Sequence, residues 1–469
     1  MRLLQSLVFL QRMRIKKMSS NKSYEIDMTE GPLFSKILSF SLPLIASGIL
    51  QLMFNAADVV VVGRFAGSES LAAVGSTSSL TNLIVNIFIG LSIGTNVTLA
   101  RFYGAKRDKE VCDTVHTSIL ISLIAGVILI IVGFLASRPM LTLMGTPDNV
   151  IEHSVTYMRI YFAGMPVLML YNFGSAILRA VGDTKRPLNY LIIAGIINVV
   201  LNLIFVIVFH MGVAGVALAT VISEAVSAFL VVRCLIMSEG PIKLHIHELK
   251  LNRHILKRIF TIGIPAGIQG AVFSISNVLI QSSINSFGSA AMAGSTASQS
   301  IEGFTYTSMN AVGQATVSFV GQNSGARRYD RVKRSVIDCL ILVTVVGLIM
   351  GNVGVLIDGV LLKLYTTSPE VISYGHLRLS YIMPMYCLCG IMEVFVGGSR
   401  GMGRAVVPTI ISLIGACAFR IVYIYTIFVM YHTLGTLYLS YPVSWAITSL
   451  AQLLYLIFVY RRQKKSADL

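Results

Sequence analysis

The sequence predicts an all-α, polytopic membrane protein with twelve transmembrane helices arranged as two parallel, repeated six-helix bundles. Three observations predict this fold. Of the 469 residues, 55% are hydrophobic and only 12% are charged, which is too few charges for the surface of a soluble protein of this length. Apolar segments long enough to cross a bilayer recur along nearly the whole chain. The second half of the chain also repeats motifs of the first half.

Twelve apolar segments cover most of the chain. A helix needs about 20 predominantly apolar residues to cross the hydrocarbon core of a bilayer, and each segment has that length. We place these spans at 36–62, 71–100, 113–136, 155–178, 188–209, 214–236, 257–286, 291–319, 335–357, 374–399, 408–431 and 436–460. Because no long polar segment interrupts them, we expect no soluble enzyme domain and no enzymatic activity.

The spans divide the chain into two lobes with polar ends. The predicted parts are a cytoplasmic tail at 1–35, an N-terminal lobe at 36–236, a cytoplasmic linker at 237–256, a C-terminal lobe at 257–460 and a cytoplasmic tail at 461–469. The short apolar run Leu3–Leu10 lacks a small-residue cleavage site after it, so we assign it to the tail rather than to a signal peptide. We expect translation to start at Met1 or at Met18.

The net charge of +16 reflects orientation in a membrane. Of the 37 lysines and arginines, 31 fall in the two tails and the even-numbered loops, 3 in the odd-numbered loops and 3 inside helices. An excess of Lys and Arg marks the cytoplasmic side of a membrane protein. Both termini are therefore predicted to be cytoplasmic, in a multi-pass protein of the cell membrane. This placement indicates a lipid bilayer as the partner and argues against nucleic acid.

The six cysteines lie within the spans or at their cytoplasmic ends. This position is typical of small apolar side chains in a core, and nothing supports a disulfide framework. Cys387 and Cys389 are two residues apart but lack a second pair of ligands, so we expect no metal site. We also expect no bound cofactor.

The chain repeats itself at an offset near 221 residues. Arg179-Ala-Val-Gly182 matches Arg400-Gly-Met-Gly403, and Gly104-Ala-Lys-Arg107 matches Gly325-Ala-Arg-Arg328. Each half has six spans, so both halves have the same orientation. Such repeats usually place a substrate pathway at their interface and alternate access by rocking against each other. A channel is less favoured, because no segment resembles a selectivity filter.

One matching pair of prolines lies inside the first span of each half, at Pro43 and Pro265. An interior proline removes one backbone hydrogen bond and bends a helix. Packing kinks explain most of the prolines in the spans. Pro43 is the best candidate for a functional helix bend, because its helix also carries a buried acid.

Four polar residues of the N-terminal half lie at similar depth in three spans: Asp58, Asn198, Asn202 and Thr220. A charge near the bilayer centre costs about 2.5–3.5 kcal/mol on insertion scales, so Asp58 requires an explanation. One acid, two amides and a hydroxyl offer oxygen ligands that suit a hard cation. The carboxylate could also bind a proton. The alternative is a structural hydrogen-bond cluster.

The C-terminal half carries a different set of charges. Ile280 lies opposite Asp58 in the repeat, and the buried charges are instead Glu302, Glu393 and Arg420. A carboxylate–guanidinium cluster would offset the insertion cost of each member. We predict that these three form a polar network, which is either a fixed structural feature or a coupling site.

Several of these features together resemble the multidrug and toxic compound extrusion family, known as MATE, in its bacterial form. The resemblance covers about residues 30–460. It is carried by the twelve spans and by Pro43 fifteen residues before Asp58, Asn198-Val-Val-Leu-Asn202, Gly212-Val-Ala-Gly-Val-Ala-Leu-Ala-Thr220, Gly313-Gln314, Val320-Gly-Gln-Asn323 and Arg400-Gly-Met-Gly403.

The resemblance implies a monomeric, secondary active exporter of amphiphilic, mostly cationic small molecules, driven by exchange for H⁺ or Na⁺. It also implies that Asp58, Asn198, Asn202 and Thr220 form the cation-coupling site. Some members of the family have an acid at the position of Asn202, so this chain has one carboxylate fewer. That departure weakens the expectation of Na⁺ binding and leaves H⁺ coupling open.

Three other classes are less favoured. A lipid-linked precursor flippase of the same superfamily would need a cationic central cavity for phosphates, whereas the predicted interior offers Arg420 but more acids than bases. A major-facilitator carrier would carry a Gly-x-x-x-Asp-Arg-x-Gly-Arg-Arg element between spans 2 and 3, where this chain has Arg101-Phe-Tyr-Gly-Ala-Lys-Arg-Asp. A membrane-embedded enzyme would need paired histidine and acid ligands or a Ser/His pair, and the histidines are scattered near span ends.

Overall fold

A computed structural model describes residues 24–468, apart from the side chains at 68, 71, 78, 79, 82, 83 and 468. Helices account for the regular structure of this part of the chain, in which no strand occurs. The predicted translation starts, Met1 and Met18, and most of the predicted N-terminal tail lie outside the described residues.

The N-terminal lobe contains six membrane helices, α1 to α6 in chain order. They are Leu33–Phe65 (α1), Ser68–Gly104 (α2), Asp108–Leu143 (α3), Asp148–Ala163 with Met165–Ala180 (α4), Lys185–Leu203 (α5) and Gly212–Met237 (α6). The two segments of α4 meet at Gly164 and are bent by 47°. Helix α5 continues into a π-helical turn at Ile204–Val208.

The C-terminal lobe contains six corresponding helices, α7 to α12. They are Arg253–Asn285 (α7), Ser289–Gly325 (α8), Tyr329–Leu356 (α9), Pro369–Ile382 with Tyr386–Gly401 (α10), Val406–Ser412 continued through Leu413–Ala418, Phe419–Tyr423 and Ile424–Phe428 (α11), and Leu434–Asp468 (α12). A short helix at Asp358–Lys363 precedes α10.

Each of the twelve predicted spans coincides with one of these helices, so the predicted fold class is confirmed. Eleven of the twelve are long and apolar enough to cross a membrane, counting the bent α4 as one. The exception is α8, which is rich in Ser, Thr, Gln and Gly and is largely buried. It packs against α1, α2, α9 and α10. Because α8 contacts protein on most sides rather than lipid, it does not need an apolar surface.

The repeat is visible in the backbone. Residues at an offset of 221 share unusual positive φ angles, in the pairs Gly67 (88°) and Gly288 (95°), Lys106 (54°) and Arg327 (57°), and Gly182 (97°) and Gly403 (80°). A non-glycine residue rarely adopts positive φ, so the Lys106 and Arg327 pair is a specific match. The two lobes therefore share one frame, as the sequence repeat predicts.

The two lobes contact each other most closely where α2 crosses α7. A Cβ atom on Gly90 would lie 2.3 Å from the backbone nitrogen of Gly267, and one on Gly94 would lie 2.3 Å from the carbonyl oxygen of Ile259. Small residues let membrane helices approach this closely. A second crossing joins α2 to α8, where a Cβ on Gly104 would lie 2.0 Å from the Gln322 carbonyl oxygen.

These crossings lie toward the end of the bundle at which α1 begins and α12 ends, which we call the terminal end. Residues 24–32, which we call the strap, cross both lobes there. In the N-terminal lobe, the Tyr103 hydroxyl donates to Glu25 Oε2 at 3.1 Å. In the C-terminal lobe, Asn323 and Arg331 donate to the carbonyl oxygen of Met28 at 3.0 and 3.1 Å. The lobes are thus joined and closed at the terminal end.

Candidate functional site

The four predicted residues of the N-terminal lobe come together across three helices. Asn202 Nδ2 on α5 donates to Asp58 Oδ1 on α1 and to Asn198 Oδ1, the latter at 3.3 Å. Asn198 Nδ2 is 3.5 Å from the Thr220 hydroxyl on α6. We call this chain of hydrogen bonds the Asp58 cluster. Asn198 and Asn202 lie one helical turn apart on α5, which is why both amides face the same neighbours.

The surroundings of the Asp58 cluster are apolar. Asn198 and Asn202 are buried, and Asp58 and Thr220 are half-buried. Among the described residues, no lysine, arginine or histidine forms an ion pair with Asp58. Beyond the cluster, away from the terminal end, lies a small apolar core that includes Val61, Val62, Val206, Val213 and Val216. The carboxylate therefore lies in the protein interior without a cationic partner.

The oxygen atoms of the Asp58 cluster determine what it can bind. Asn202 Oδ1 is buried and has no hydrogen-bond partner, so it is a free acceptor next to the carboxylate. An acid, amide oxygens and a hydroxyl are suitable ligands for a hard cation. In this arrangement, however, an amide N–H of Asn202 points at Asp58. A proton can add to the second carboxylate oxygen as the cluster stands, whereas Na⁺ requires the Asn202 amide to turn.

The predicted network of the C-terminal lobe is not the one that the structure contains. Glu302 pairs with Arg378, whose Nε and Nη2 donate to the two carboxylate oxygens at 2.8 and 3.0 Å. Arg378 also donates to the Ser295 hydroxyl at 3.0 Å, and both charged side chains are buried. This two-pronged ion pair joins α8 to α10 and is satisfied within the lobe.

Arg420 has different partners. Its Nε donates to the Ser444 hydroxyl at 2.9 Å, and its guanidinium lies 4.3 Å from the centre of the Tyr441 ring. No ion pair among the described residues joins Arg420 to Glu302 or Glu393. The prediction failed because sequence spacing gives the depth of a residue but not the neighbouring helix that its side chain faces.

Pro43 lies inside α1, which is one uninterrupted helix from Leu33 to Phe65. Its side chain is buried, and the Ser47 hydroxyl donates to its carbonyl oxygen at 2.8 Å. The functional bend expected at Pro43 stays a prediction.

A central cavity of about 500 Å³ lies between the two lobes. This volume falls within the range of small-molecule binding sites. Its lining is unusually rich in amides, namely Gln51, Asn55, Asn86, Asn96, Asn172, Gln269, Asn310 and Gln314. Among the described residues, its charged lining side chains are Arg179, Glu393 and Arg400. Both lobes contribute, so the cavity depends on their relative position.

Arg179 and Arg400 were not predicted to line a binding site. The span boundaries placed both among the charges of cytoplasmic loops, but they occupy the last turns of α4 and α10 and line the cavity. The signal that could have found them is the repeat itself, because both begin the matching four-residue motifs. Glu393, predicted as part of the C-terminal network, lines the same cavity.

A family model described as MatE matches residues 43–204 and, a second time, residues 265–426. The two matches fall in the two lobes and together cover more than half of the chain. The chain belongs to the MatE family. The family resemblance inferred from the sequence is therefore confirmed, and this MatE protein is a multi-pass membrane transporter and not an enzyme.

Curated relatives are similar along most of their length. The MatE chain is 28% identical over 434 residues to the "Probable multidrug resistance protein YoeA" of Bacillus subtilis (strain 168), covering 91% of this chain and 94% of the relative. It is 24% identical to the "FAD transporter" of Shewanella oneidensis, covering 82% and 86%. A solved structure described as "Crystal structure of MATE in complex with MaL6" shares its fold, with a TM-score of 0.89, 23% identity and coverage of 95% and 100%.

Proposed function

We propose that this MatE protein is a secondary active exporter that exchanges H⁺ or Na⁺ for amphiphilic small molecules by alternating access. The observation that carries this proposal is the separation of two sites. The Asp58 cluster lies inside one lobe, whereas the central cavity lies between the lobes. Ion and cargo then bind at different places and affect each other through the relative position of the lobes.

The names of the relatives support small organic molecules as cargo. One is named for multidrug resistance and another for FAD transport. The family resemblance adds a preference for cationic drugs. Because one chain encloses the whole cavity, we propose that the monomer is the transporting unit.

We place the terminal end in the cytoplasm, because lysines and arginines concentrate in the loops at that end. With the lobes joined there by the strap and the α2–α7 crossing, the cavity is closed on the cytoplasmic side. The described state is then the one from which cargo leaves to the outside.

The coupling ion acts by binding the two access states with different affinity, since otherwise it drives nothing. An ionised Asp58 accepts a charge-assisted hydrogen bond from Asn202, which ties α1 to α5. Protonation removes the charge and weakens this tie. The packing of α1 in the N-terminal lobe thereby depends on the ion.

Transport in proteoliposomes tests the proposal. Efflux of two fluorescent dyes, rhodamine 123 and rhodamine 110, is measured with a pH gradient and a Na⁺ gradient imposed separately. We expect at least one gradient to drive efflux of at least one dye, and we expect Asp58→Asn to abolish it. Asp148→Asn, an exposed acid at the start of α4, is the matched control. Gradient-driven efflux by Asp58→Asn at the normal rate would refute the role of Asp58.

A further inference from the structure

The charges that line the central cavity are unbalanced. Two are arginines at repeat-related positions, Arg179 on α4 and Arg400 on α10, and one is an acid, Glu393. Both arginines occupy the last helical turn before the terminal end. They therefore lie at the closed end of the cavity, which we call its floor. The net charge of the lining is one positive unit.

Arg400 is buried but only partly satisfied. It is 7% exposed, and its Nη2 donates to Gln269 Oε1 at 2.8 Å. Its Nε is buried and has no hydrogen-bond partner. No carboxylate among the described residues forms an ion pair with it. A buried guanidinium with a free donor is costly unless something else binds it.

Arg179 has no ion pair within the described part of the chain either, and it is half-buried at the same cavity. Glu393 precedes Arg400 by seven residues on α10, which places it two turns, or about 10 Å, further from the terminal end. The acid thus lies above the floor, near enough for its charge to attract Arg400 but without an ion pair between them. The buried arginines of the C-terminal core differ from this pair, since Arg378 binds Glu302 and Arg420 stacks on Tyr441.

We propose that the cargo of this transporter carries an acidic group, a carboxylate or a phosphate, which Arg179 and Arg400 bind at the floor of the cavity. A planar guanidinium can donate to two oxygens of a carboxylate or of a phosphate at once. The surrounding amides bind the remaining polar atoms of the cargo, and Glu393 accommodates a cationic group when the cargo is zwitterionic. The inference rests on the proposed export function for the direction of transport, and it replaces the preference for cationic drugs that the family resemblance implies with one for acidic or zwitterionic cargo.

Two dyes that differ at a single acidic group test this proposal. Rhodamine 110 carries a free carboxylate, and rhodamine 123 is its methyl ester. Their binding to purified protein is measured by fluorescence anisotropy, without any ion gradient. We expect rhodamine 110 to bind about tenfold more tightly, the effect of one charge-assisted hydrogen bond. Arg179→Gln and Arg400→Gln should each reduce this preference, and Arg179→Lys and Arg400→Lys should retain part of it.

Arg404→Gln is the matched control, because Arg404 is exposed, lies four residues after Arg400 and does not line the cavity. It should keep the full preference for rhodamine 110. Three results would each overturn the proposal. Rhodamine 123 could bind as tightly as rhodamine 110 or more tightly, rhodamine 110 could fail to bind, or both glutamine variants could keep the full preference for rhodamine 110. If Arg400→Gln does not fold, Arg179→Gln and the two lysine variants decide the outcome.

Competition identifies the source of the acid. Phenyl phosphate and dodecyl phosphate are titrated against bound rhodamine 110. Displacement by both at similar concentrations indicates a soluble acid, and displacement by dodecyl phosphate alone indicates a lipid phosphate. Displacement by neither would contradict an anion site. The binding measurement needs no ion gradient, so it separates the two proposals. Loss of rhodamine 110 binding with dye efflux retained would refute the acidic cargo alone. Rhodamine 110 binding without ion-driven efflux would refute the antiport.

Discussion

Asp58 is an interior acid with one amide donor and, within the part of the chain that the structure describes, no ion pair with a cationic side chain. The cluster was predictable from residue type and from depth in the membrane. Three helices bring an acid, a hydroxyl and two amides one turn apart to a similar depth. The sequence did not indicate which amide faces the acid. In the structure Asn202 is both the donor to Asp58 and the residue with a free buried oxygen. We therefore expect the choice between H⁺ and Na⁺ to depend on Asn202.

Replacing Asn202 by aspartate should make the transporter respond to Na⁺. A second carboxylate beside Asp58 removes the amide donor and adds a charged oxygen ligand for the cation. We expect Na⁺ to raise the thermal stability of purified Asn202→Asp and to stimulate its dye efflux, in both cases more strongly than in the wild type. Asn149→Asp, at an exposed asparagine in the first turn of α4, is the control. Equal Na⁺ responses in the wild type and Asn202→Asp would contradict this role of Asn202.

The Glu302–Arg378 pair should contribute to stability rather than to ion coupling. Glu302→Gln leaves the buried Arg378 guanidinium without its counter-ion, and breaking such a pair costs about 3–5 kcal/mol. Thermal unfolding in detergent measures the loss. The exposed Glu370→Gln on α10 is the control, and the double change Glu302→Gln with Arg378→Met should recover much of the stability. A single variant as stable as the wild type would show that the pair adds nothing.

At the scale of elements, the helices were predictable because their lipid-facing surfaces must be apolar over about 20 residues. Their ends were not predictable, since a helix continues into polar surroundings without an apolar signal. This is why Arg179 and Arg400 were assigned to loops although they close the last turns of α4 and α10. Side-chain partners such as Arg378 for Glu302 depend on helix rotation, which the sequence pattern of a helix buried on most sides does not encode.

The crossing of α2 and α7 should control closure at the terminal end. A Cβ on Gly90 would lie 2.3 Å from the Gly267 nitrogen, so Gly90→Ala should separate these helices and populate the state that is open at the terminal end. Amide hydrogen exchange should then rise in the strap and in the last turns of α8. On the same helix, Gly75→Ala adds a Cβ with no atom within 4 Å, and it should leave exchange unchanged. Wild-type exchange in Gly90→Ala would argue against this role.

The strap should detach when Arg331 loses its charge. Arg331 on α9 donates to the carbonyl oxygens of Met28, Glu30 and Gly31 at 3.0 to 3.1 Å. Because hydrogen bonds from a charged donor contribute about 1.5–3 kcal/mol, Arg331→Gln should speed amide exchange in residues 24–32 by tenfold or more. Lys333→Gln, exposed on the same helix, is the matched control. Unchanged exchange in Arg331→Gln would show that the strap is held elsewhere.

Across the whole molecule, the two lobes have the same helix arrangement but different buried polar residues. Ile280 on α7 stands where α1 has Asp58, and it is buried in the C-terminal core. In the C-terminal lobe, Glu302 and Arg378 are buried and satisfy each other, whereas Glu393 and Arg400 face the cavity. This asymmetry supports the proposal that the ion binds in the N-terminal lobe and the cargo at the interface.

An ion at Asp58 and cargo in the cavity should each affect the binding of the other. An ion that favours cargo release must lower the affinity for cargo. By thermodynamic reciprocity, bound cargo lowers the affinity for the ion by the same factor. The most direct measurement is the affinity for rhodamine 110 as a function of pH and of Na⁺, in the wild type and in Asp58→Asn. We predict that acidification or added Na⁺ weakens binding to the wild type at least fivefold and leaves Asp58→Asn unaffected. The same ion dependence in the wild type and in Asp58→Asn would contradict coupling between Asp58 and the cavity.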